Sequence, residues 1–380
     1  MRKGKFAAYP LGSMSLLTHL ADVPDFRRQN KNFRHKLLDI LVISVLAVLS
    51  GADDFEEIAW FGQQKEPVFR RYLSLDNGIP SDDTFRRVFQ HLDAAAFNAA
   101  FLAWMRQVLP ADQLGQVCID GKTLRGSGPQ ALHVVSAVAS AQGLSLAQVA
   151  TAGKGHELAA IPDVLALLDV RGCLVSLDAL SCQPAIAAQI CQQGGDYLLA
   201  LKENQATLLA EAERALAQVP ARQTLESWSL ASHNTPLCTQ VSVQTDLRWV
   251  DEEGRWPGLA ALVRVATTRH PVDGPAQSQA VRYYLSSRAS LTPAQATAAV
   301  RDHWAIENKL HWHLDVTLGE DAHRLRQAQA VENLALVRKM ALNLLQQDPT
   351  RVSIKKKRKR LGWNDAYLEE LLTQICHQLA

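Results

Sequence analysis

Two short runs decide the fold, Val117-Cys-Ile-Asp120 and Cys173-Leu-Val-Ser-Leu-Asp178. Each is a bounded apolar run that ends on an acid, which is typical of a buried strand. Ligands of open α/β sheets bind at the carboxyl ends of the strands, where side chains converge. We therefore expect Asp120 and Asp178 to face a site. The alternative is a turn or helix-cap role, since Asp is common after strands for local hydrogen bonding.

The segments around these runs predict an α/β unit with the order β–β–β–α–β–α–β. Its predicted elements are strands at 117–120, 133–140 and 144–152, a helix at 161–168, a strand at 173–178, a helix at 184–193 and a strand at 197–201. Gln142-Gly143 is a hairpin signal, so the first three strands are expected to form an antiparallel meander.

Four further regions flank this unit. We expect a leader at 1–13, a small all-helical domain at 14–110, a β-rich insertion at about 206–290 inside a catalytic domain spanning 111–345, and a basic C-terminal tail and helix at 346–380. In the helical domain, Ser81 precedes two acids and predicts a capped helix start. Before the tail, one long helix is predicted from Thr292-Pro293 through Asp315.

The composition excludes several protein classes. The chain has 380 residues, which at about 150 residues per domain favours two or three units. Its six cysteines include no C-x-x-C pair, which argues against a disulfide scaffold or zinc ribbon and fits a reducing compartment. The most apolar run, residues 37–49, contains Asp39 and is shorter than the roughly 20 residues that span a membrane.

The predicted long helix supplies a third acid. His303, Glu307, His311 and Asp315 are four residues apart and form one polar stripe, with an apolar stripe beside it. The alternative is a solvated polar face. Three carboxylates from two strand ends and a helix are suited to Mg²⁺, and two such ions clamp the oxygens of a phosphoryl transfer. Glu320 is a weaker candidate for the third carboxylate.

Other chemistries remain as alternatives. Paired acids also serve glycosidases, but the basic surroundings favour phosphodiester chemistry: Lys122, Arg125, Lys202, Lys309, Arg324 and Arg326. Zinc is disfavoured because His303 and His311 are eight residues apart and no H-E-x-x-H occurs. The basic block at 355–360 is a candidate phosphate contact or a solvated run. The stretch at 154–157, Lys-Gly-His-Glu, is a loop beside the site or a turn before a helix.

An ordered set of motifs carries a family resemblance. The motifs are Ile119-Asp120-Gly-Lys-Thr-Leu-Arg125-Gly-Ser127, Ala160-Ile-Pro, Leu177-Asp178-Ala-x-x-Cys182-Gln183, Gly195-Asp-Tyr-x-x-Ala-Leu-Lys202-x-Asn204-Gln205 and His303-Trp-x-x-Glu307-Asn-Lys-Leu-His311-Trp-x-Leu-Asp-Val316. Together they resemble the DDE transposases of bacterial insertion sequences, in the branch of the H-repeat-associated proteins. Ser50-Gly51-Ala52 and Asn77-Gly-Ile-Pro80 resemble the helical domain that precedes the catalytic domain in that branch.

The resemblance implies an RNase-H-like catalytic domain with Asp120, Asp178 and Glu307 as catalytic, metal-binding acids. The implied activity is DNA cleavage at the ends of the insertion sequence and strand transfer into target DNA, with Mg²⁺ or Mn²⁺. The implied partners are DNA and a second copy of the chain in a synaptic complex, in the bacterial cytoplasm. The residues expected to contact DNA are Lys122, Arg125, Lys202, Asn204, Lys309, His311, Trp312, Arg324 and Arg326.

The chain departs from the wider superfamily around the glutamate. Where relatives carry Tyr, Arg and Lys, it has Val300, His303 and Leu314, and we expect Lys309, His311 and Trp312 to replace those phosphate contacts. The insertion has Ser232-His233-Asn234 where a His-Gly-Arg stretch is usual. The alternatives are therefore a domesticated or inactive DNA-binding relative and a non-specific nuclease of the same fold.

Overall fold

The computed structural model describes residues 16–28, 33–128, 131–151, 153–217, 219, 223–230, 235–270 and 278–376. The expected leader at 1–13 and the stretch at 232–234 lie outside the described residues.

The helices alternate with strands only in the middle of the chain. The helices are α1 (Leu16–Ala21), α2 (Leu37–Ser50), α3 (Phe55–Gln64), α4 (Glu66–Phe69), α5 (Asp82–His91), α6 (Ala94–Val108), α7 (Glu157–Ala166), α8 (Pro184–Gln192), α9 (Ala206–Ala217), α10 (Pro293–Ile306), α11 (Ala328–Gln347), α12 (Ile354–Trp363) and α13 (Asp365–Cys376). The strands are β1 (Gln116–Thr123), β2 (His133–Ala139), β3 (Leu144–Thr151), β4 (Leu174–Leu177), β5 (Asp196–Leu201), β6 (Thr224–Leu230), β7 (Pro236–Gln244), β8 (Ala261–Arg269) and β9 (Ser278–Ser286).

The described strands form one mixed sheet of nine strands in the order β3-β2-β1-β4-β5-β9-β8-β7-β6. The first three strands form the predicted antiparallel meander, with Asp120 paired to Ser136. β4 lies parallel to β1 and β5 lies parallel to β4. The predicted order β–β–β–α–β–α–β is therefore confirmed, and β1 and β4 end at the same edge of the sheet.

The segment expected as a β-rich insertion extends this sheet. β9 pairs antiparallel with β5, and β8, β7 and β6 follow outward. Three of its strands were indicated by the sequence. β6 was not indicated, because most of its residues are exposed and carry little periodic signal. α9 was missed although its buried residues Leu208, Ala212 and Leu216 have helical spacing, because this region was interpreted as β-rich throughout.

Local capping explains where several helices begin and end. The Asp54 carboxylate accepts from the Glu57 N–H at the start of α3, and the Ser81 hydroxyl accepts from the Thr84 N–H at the start of α5. α2 ends at Gly51, whose φ of 132° disfavours any residue with a side chain. The predicted start of α10 is a capping box built on Thr292.

Helix α11 joins the N-terminal helices to the sheet. It packs against α2, α5 and α6 on one side and against β3 on another, and most of its residues are buried. Asn333 donates to the Phe89 and Leu92 carbonyls, while Asn343 donates to the Ser145 carbonyl. One hydrophobic cluster thus runs through the helical region and the sheet.

The predicted long α-helix is interrupted. α10 ends at Ile306, and two π-helical turns follow it, Glu307–His311 and His313–Thr317. Insertions of this kind occur frequently at functional sites. No helix in the described part of the chain is long and apolar enough to cross a membrane.

Candidate active site

Asp120 and Asp178 lie two residues beyond Cys118 and Ser176, respectively, the last paired positions of the parallel strands β1 and β4. The predicted strand end at Asp120 is wrong, because β1 continues to Thr123 through its pairing with β2. Asp120 is in the second half of β1, and one of its carboxylate oxygens accepts from the Gly121 N–H at 2.9 Å. Asp178 follows β4 directly and caps a short turn, accepting from the Ser181 N–H at 3.2 Å and its hydroxyl at 3.0 Å. The sequence-predicted convergence of these two acids therefore agrees with the sheet, and the cap role exists alongside it.

Glu307 is connected to Asp120 by His311, which contacts both carboxylates. The Nδ1–H of His311 donates to Glu307 Oε2 at 3.1 Å and lies 3.7 Å from Asp120 Oδ2. His311 is buried, whereas the Glu307 side chain is 70% exposed. Of the predicted polar stripe, only Glu307 and His311 are in contact with each other, since His303 contacts Ser176 and Asp315 pairs with Lys122. His311 lies between Glu307 and Asp120.

Burial raises the pKa of the Asp120 carboxyl. The nearby Asp178 and Glu307 carboxylates also raise this pKa, while His311 and the Gly121 N–H oppose the shift. Like charges crowded in a partly desolvated site favour the neutral form of one of them. The Asp178 and Glu307 carboxylates therefore lie close enough to Asp120 to act on its pKa.

The carboxylate oxygens of Asp120, Asp178 and Glu307 are the type of ligand that divalent cations prefer. The three acids supply carboxylate oxygens, which hard cations prefer, and the crowding at Asp120 is what a cation would relieve. Their spacing is wider than that of a closed site, since no group of three or more His, Cys, Asp or Glu among the described residues could hold a metal as it stands.

Lys122 is enclosed by acids. Its ammonium lies 2.6 Å from Asp315, 2.8 Å from Glu320 and 3.5 Å from Asp321. Burial lowers the pKa of Lys122, but these carboxylates outweigh it and hold the pKa above its usual value. Glu320 is fully buried beside this lysine, so the weaker candidate for the third carboxylate is a structural ion-pair partner here.

Two more of the expected DNA contacts hold the site together. Lys309 donates to the Ser140 carbonyl at 2.6 Å and connects the first π-helical turn to the turn between β2 and β3. Asn204 donates to the Ala179 carbonyl at 2.8 Å and fixes the turn after Asp178. In this structure both side chains are engaged by backbone groups.

The other expected contacts face solvent. Arg125, Lys202, Trp312, Arg324 and Arg326 are exposed. A cleft of about 570 Å³ is lined by Arg125 together with residues from both faces of β1 and from the π-helical turns. Another cleft, of about 540 Å³, is lined by Asp178, Lys202, Arg282, Tyr284 and Trp304 among others. These surfaces supply positive charge and aromatic rings around the acids.

A buried cluster beside Asp120 was only partly foreseen. His133 lies with Nε2 2.7 Å from Glu157 Oε1, and its Nδ1 is 2.9 Å from the Thr123 hydroxyl. Glu157 comes from the Lys-Gly-His-Glu stretch, whose expected place beside the site is seen here, and it begins α7. His133 gave no sequence signal because it is a single polar residue at the start of the apolar strand β2.

His303 occupies the place of the superfamily arginine but lies inside the protein. Its Nδ1 is 3.1 Å from the Ser176 hydroxyl on β4. Burial lowers the pKa of His303, although Asp178 opposes the shift. This contact anchors α10 to the strand that ends at Asp178.

Two family models match the chain. Residues 17–105 match the model described as DDE_Tnp_1-associated, and residues 112–344 match the model described as Transposase DDE domain. The chain therefore belongs to the DDE transposase family, an enzyme family that generally uses divalent metal ions.

Two similar proteins align with this chain over nearly its whole length. "Putative transposase YncI" of Escherichia coli O157:H7 is 38% identical over 377 residues, covering 96% of each chain. "H repeat-associated putative transposase YhhI" of Escherichia coli strain K12 is 34% identical over 369 residues, covering 94% of this chain and 97% of that one. Among solved structures, the piggyBac transposase synaptic complex with hairpin DNA is 11% identical with a TM-score of 0.44, covering 97% of this chain and 82% of that one.

Proposed function

We propose that this protein cleaves DNA at the ends of its own insertion sequence and joins the freed ends to target DNA. Asp120, Asp178 and Glu307 are the catalytic carboxylates. The observation that carries the proposal is their placement: Asp120 and Asp178 lie at equivalent positions just past the parallel pairing of β1 with β4, and Glu307 shares His311 with Asp120. The domain layout follows, with a helical domain at 14–110, an RNase-H-like domain at 111–345 and a basic C-terminal region at 346–380.

The three carboxylates would hold Mg²⁺, with Mn²⁺ as a substitute. When bound, such ions polarise the phosphate and lower the pKa of an attacking water. Glu307 is suited to be the third metal-binding carboxylate because its side chain is exposed. Its hydrogen bond to His311 could be replaced by a bond to the metal ion. Family membership and the oxygen donor set support this assignment.

The residues around the acids orient them for two successive reactions. In cleavage, water attacks the phosphorus and the P–O bond to the 3′ oxygen breaks, leaving a 3′-hydroxyl on the element. In strand transfer, that hydroxyl attacks a target phosphate and releases a target 3′-hydroxyl. The hydrogen bonds from Gly121 and Ser181 preset Asp120 and Asp178, so little ordering is left for the reaction itself.

DNA would enter over the exposed basic residues. Arg125, Lys202, Arg324 and Arg326, with the Trp312 ring, are proposed to contact it directly. Lys122, Asn204, Lys309 and His311 would act mainly by holding the site in shape, since acids or backbone groups engage them here. Pairing of two ends requires a dimer at least, and we place the protein in the bacterial cytoplasm, on the nucleoid when bound.

The test is nicking of a DNA fragment that spans the gene and its flanks, with Mg²⁺ or Mn²⁺. We expect metal-dependent nicks at two positions bracketing the gene. Asp120→Asn, Asp178→Asn and Glu307→Gln should each reduce nicking at least about a thousandfold and leave DNA binding within about twofold, because each amide removes one metal-binding charge. Asp112→Asn, an exposed aspartate away from the strand ends, is the matched control.

Each other outcome identifies an alternative. Nicking retained by Asp178→Asn would contradict the assignment. Binding to the flanks without any nicks would favour an inactive DNA-binding relative. Nicks scattered along the fragment would favour a non-specific nuclease.

A further inference from the structure

The basic block at 355–360 forms most of helix α12, and the helix has two distinct faces. The inner face consists of Ile354, Lys357, Arg358 and Leu361, and the outer face consists of Lys355, Lys356, Lys359 and Trp363. At 100° per residue the outer four fall within about one quarter to one third of the helix circumference. This helix lies beyond residue 344, where the family match ends.

The inner basic residues are structural. Lys357 is buried and donates to the Leu345 carbonyl at 3.1 Å and the Asp348 carbonyl at 2.6 Å. Arg358 donates to the Val48 carbonyl at 3.0 Å and the Thr317 carbonyl at 2.6 Å. α12 is thereby fixed both to the end of α2 and to the end of the π-helical turns that begin at Glu307.

The outer face is charged and open. Lys355, Lys356 and Lys359 are exposed, and α12 contains no acidic residue. The Lys359 ammonium lies 5.4 Å from the centre of the Trp363 ring, which is 78% exposed. A positive face with no acid of its own is complementary to a polyanion.

We propose that this outer face binds the phosphate backbone of duplex DNA next to the cleavage site. The inference rests on the proposed function, which makes DNA the substrate. Lys355 and Lys359 are one turn apart, about 6 Å along the helix, so their long side chains reach neighbouring phosphates of one strand. Because Arg358 connects α12 to the segment carrying Glu307, the bound backbone is held in a fixed position relative to the acids.

The experiment compares three triple variants of the full-length protein. K355A/K356A/K359A removes the three lysines, K355R/K356R/K359R keeps their charge, and R214A/R248A/R255A removes three exposed charges from the 206–290 segment. Binding to a duplex from the gene's flank is measured by fluorescence anisotropy across a range of salt concentrations. Alanine and arginine both preserve helix propensity, and circular dichroism confirms folding.

We expect the lysine-to-alanine variant to bind at least about tenfold more weakly at 0.1 M salt. Its slope of log affinity against log salt should fall by up to about 2.7, since each phosphate contact contributes about 0.9. The arginine variant and the control triple should bind as the unmodified protein does. Full retention of binding by a folded alanine variant would overturn the inference, as would an equal loss in the control triple.

Failure of this inference is distinguishable from failure of the proposed function. If the unmodified protein nicks the flanks and the alanine variant binds normally, α12 is not a DNA-binding face and the proposed function stands. If the unmodified protein binds anionic phospholipid vesicles and no DNA, both are overturned.

Discussion

At the scale of single residues, Gly121 shows how closely the site is packed. A Cβ atom there would lie 2.4 Å from His133 Nε2 and 2.9 Å from Glu157 Cδ. Both neighbours are held in place, because His133 also contacts Thr123. The backbone next to Asp120 therefore has no room for a methyl group.

We expect Gly121→Ala to reduce the nicking rate at least about tenfold, because the end of β1 must shift and Asp120 shifts with it. The free energy of unfolding should fall by about 1–3 kcal/mol through overpacking. Nicking assays and urea unfolding check both effects. Gly115→Ala is the matched control, since nothing lies within 4 Å of its added Cβ. Full activity of Gly121→Ala would show that this packing does not position Asp120.

The candidate acids can be selected from the sequence, but the contacts of the basic residues around them cannot. Asp178 directly follows an apolar strand, as the local pattern predicts, whereas β1 continues three residues past Asp120 to Thr123. Whether Lys122 faces solvent depends on Asp315 and Glu320, which are nearly 200 residues away in the sequence. The residue types in the sequence thus indicate the kind of reaction, but tertiary contacts decide which charged side chains are free to contact a substrate.

At the scale of elements, Arg358 determines how α12 docks. Its guanidinium donates to the carbonyls of Val48, Ala52 and Thr317 and pairs with Asp53. Removing it takes one donor from each of these carbonyls, and the Val48 carbonyl then keeps the Gly51 N–H at 3.4 Å.

We expect Arg358→Ala to lower the free energy of unfolding by about 2–4 kcal/mol, because buried polar groups lose their partners. Urea unfolding measures this loss. Arg351→Ala, at an exposed position just before the helix, should change stability by less than about 0.5 kcal/mol. Equal stability of the two variants would mean that α12 docks through Lys357 and its apolar residues alone.

Elements with strong local signals were predicted, and those fixed by distant contacts were not. The hairpin of β2 and β3 and the caps at Ser81 and Thr292 follow from turn and cap residues. The pairing of β9 with β5 joins segments about 80 residues apart, so no local pattern indicates it. The π-helical turns were missed for a different reason: the residues that form them fit a continuous α-helix equally well.

At the scale of the whole molecule, stability depends on pH through His323. This histidine is 7% exposed, and its Nδ1 accepts from the Leu325 N–H. Burial, with a contribution from Arg338, lowers the pKa of His323 to about 4 from 6.5. The unfolded chain therefore binds a proton in this range that the folded protein excludes.

The unfolded state binds more protons between pH 6.5 and 4, so stability rises with pH through this window and is lost as pH falls. We expect His323 to account for about 3 kcal/mol of the loss. His323→Asn should flatten that part of the profile in urea unfolding at pH 7 and pH 4.5. His91→Asn, at an exposed position, should leave it unchanged. Identical profiles for the two variants would contradict the assignment.

The continuous sheet has a consequence for how copies of this gene decay. The strands β7 to β9 help to bury an apolar layer that includes Leu198 and Ala200 of β5. A deletion of 206–290 would leave β5 as a bare edge with that layer uncovered, which is a template for aggregation. Shortened copies that lose this segment would therefore be lost to precipitation and proteolysis. Substitutions at Asp120, Asp178 or Glu307 leave the sheet intact, so on the proposed function they would remove activity without exposing this edge.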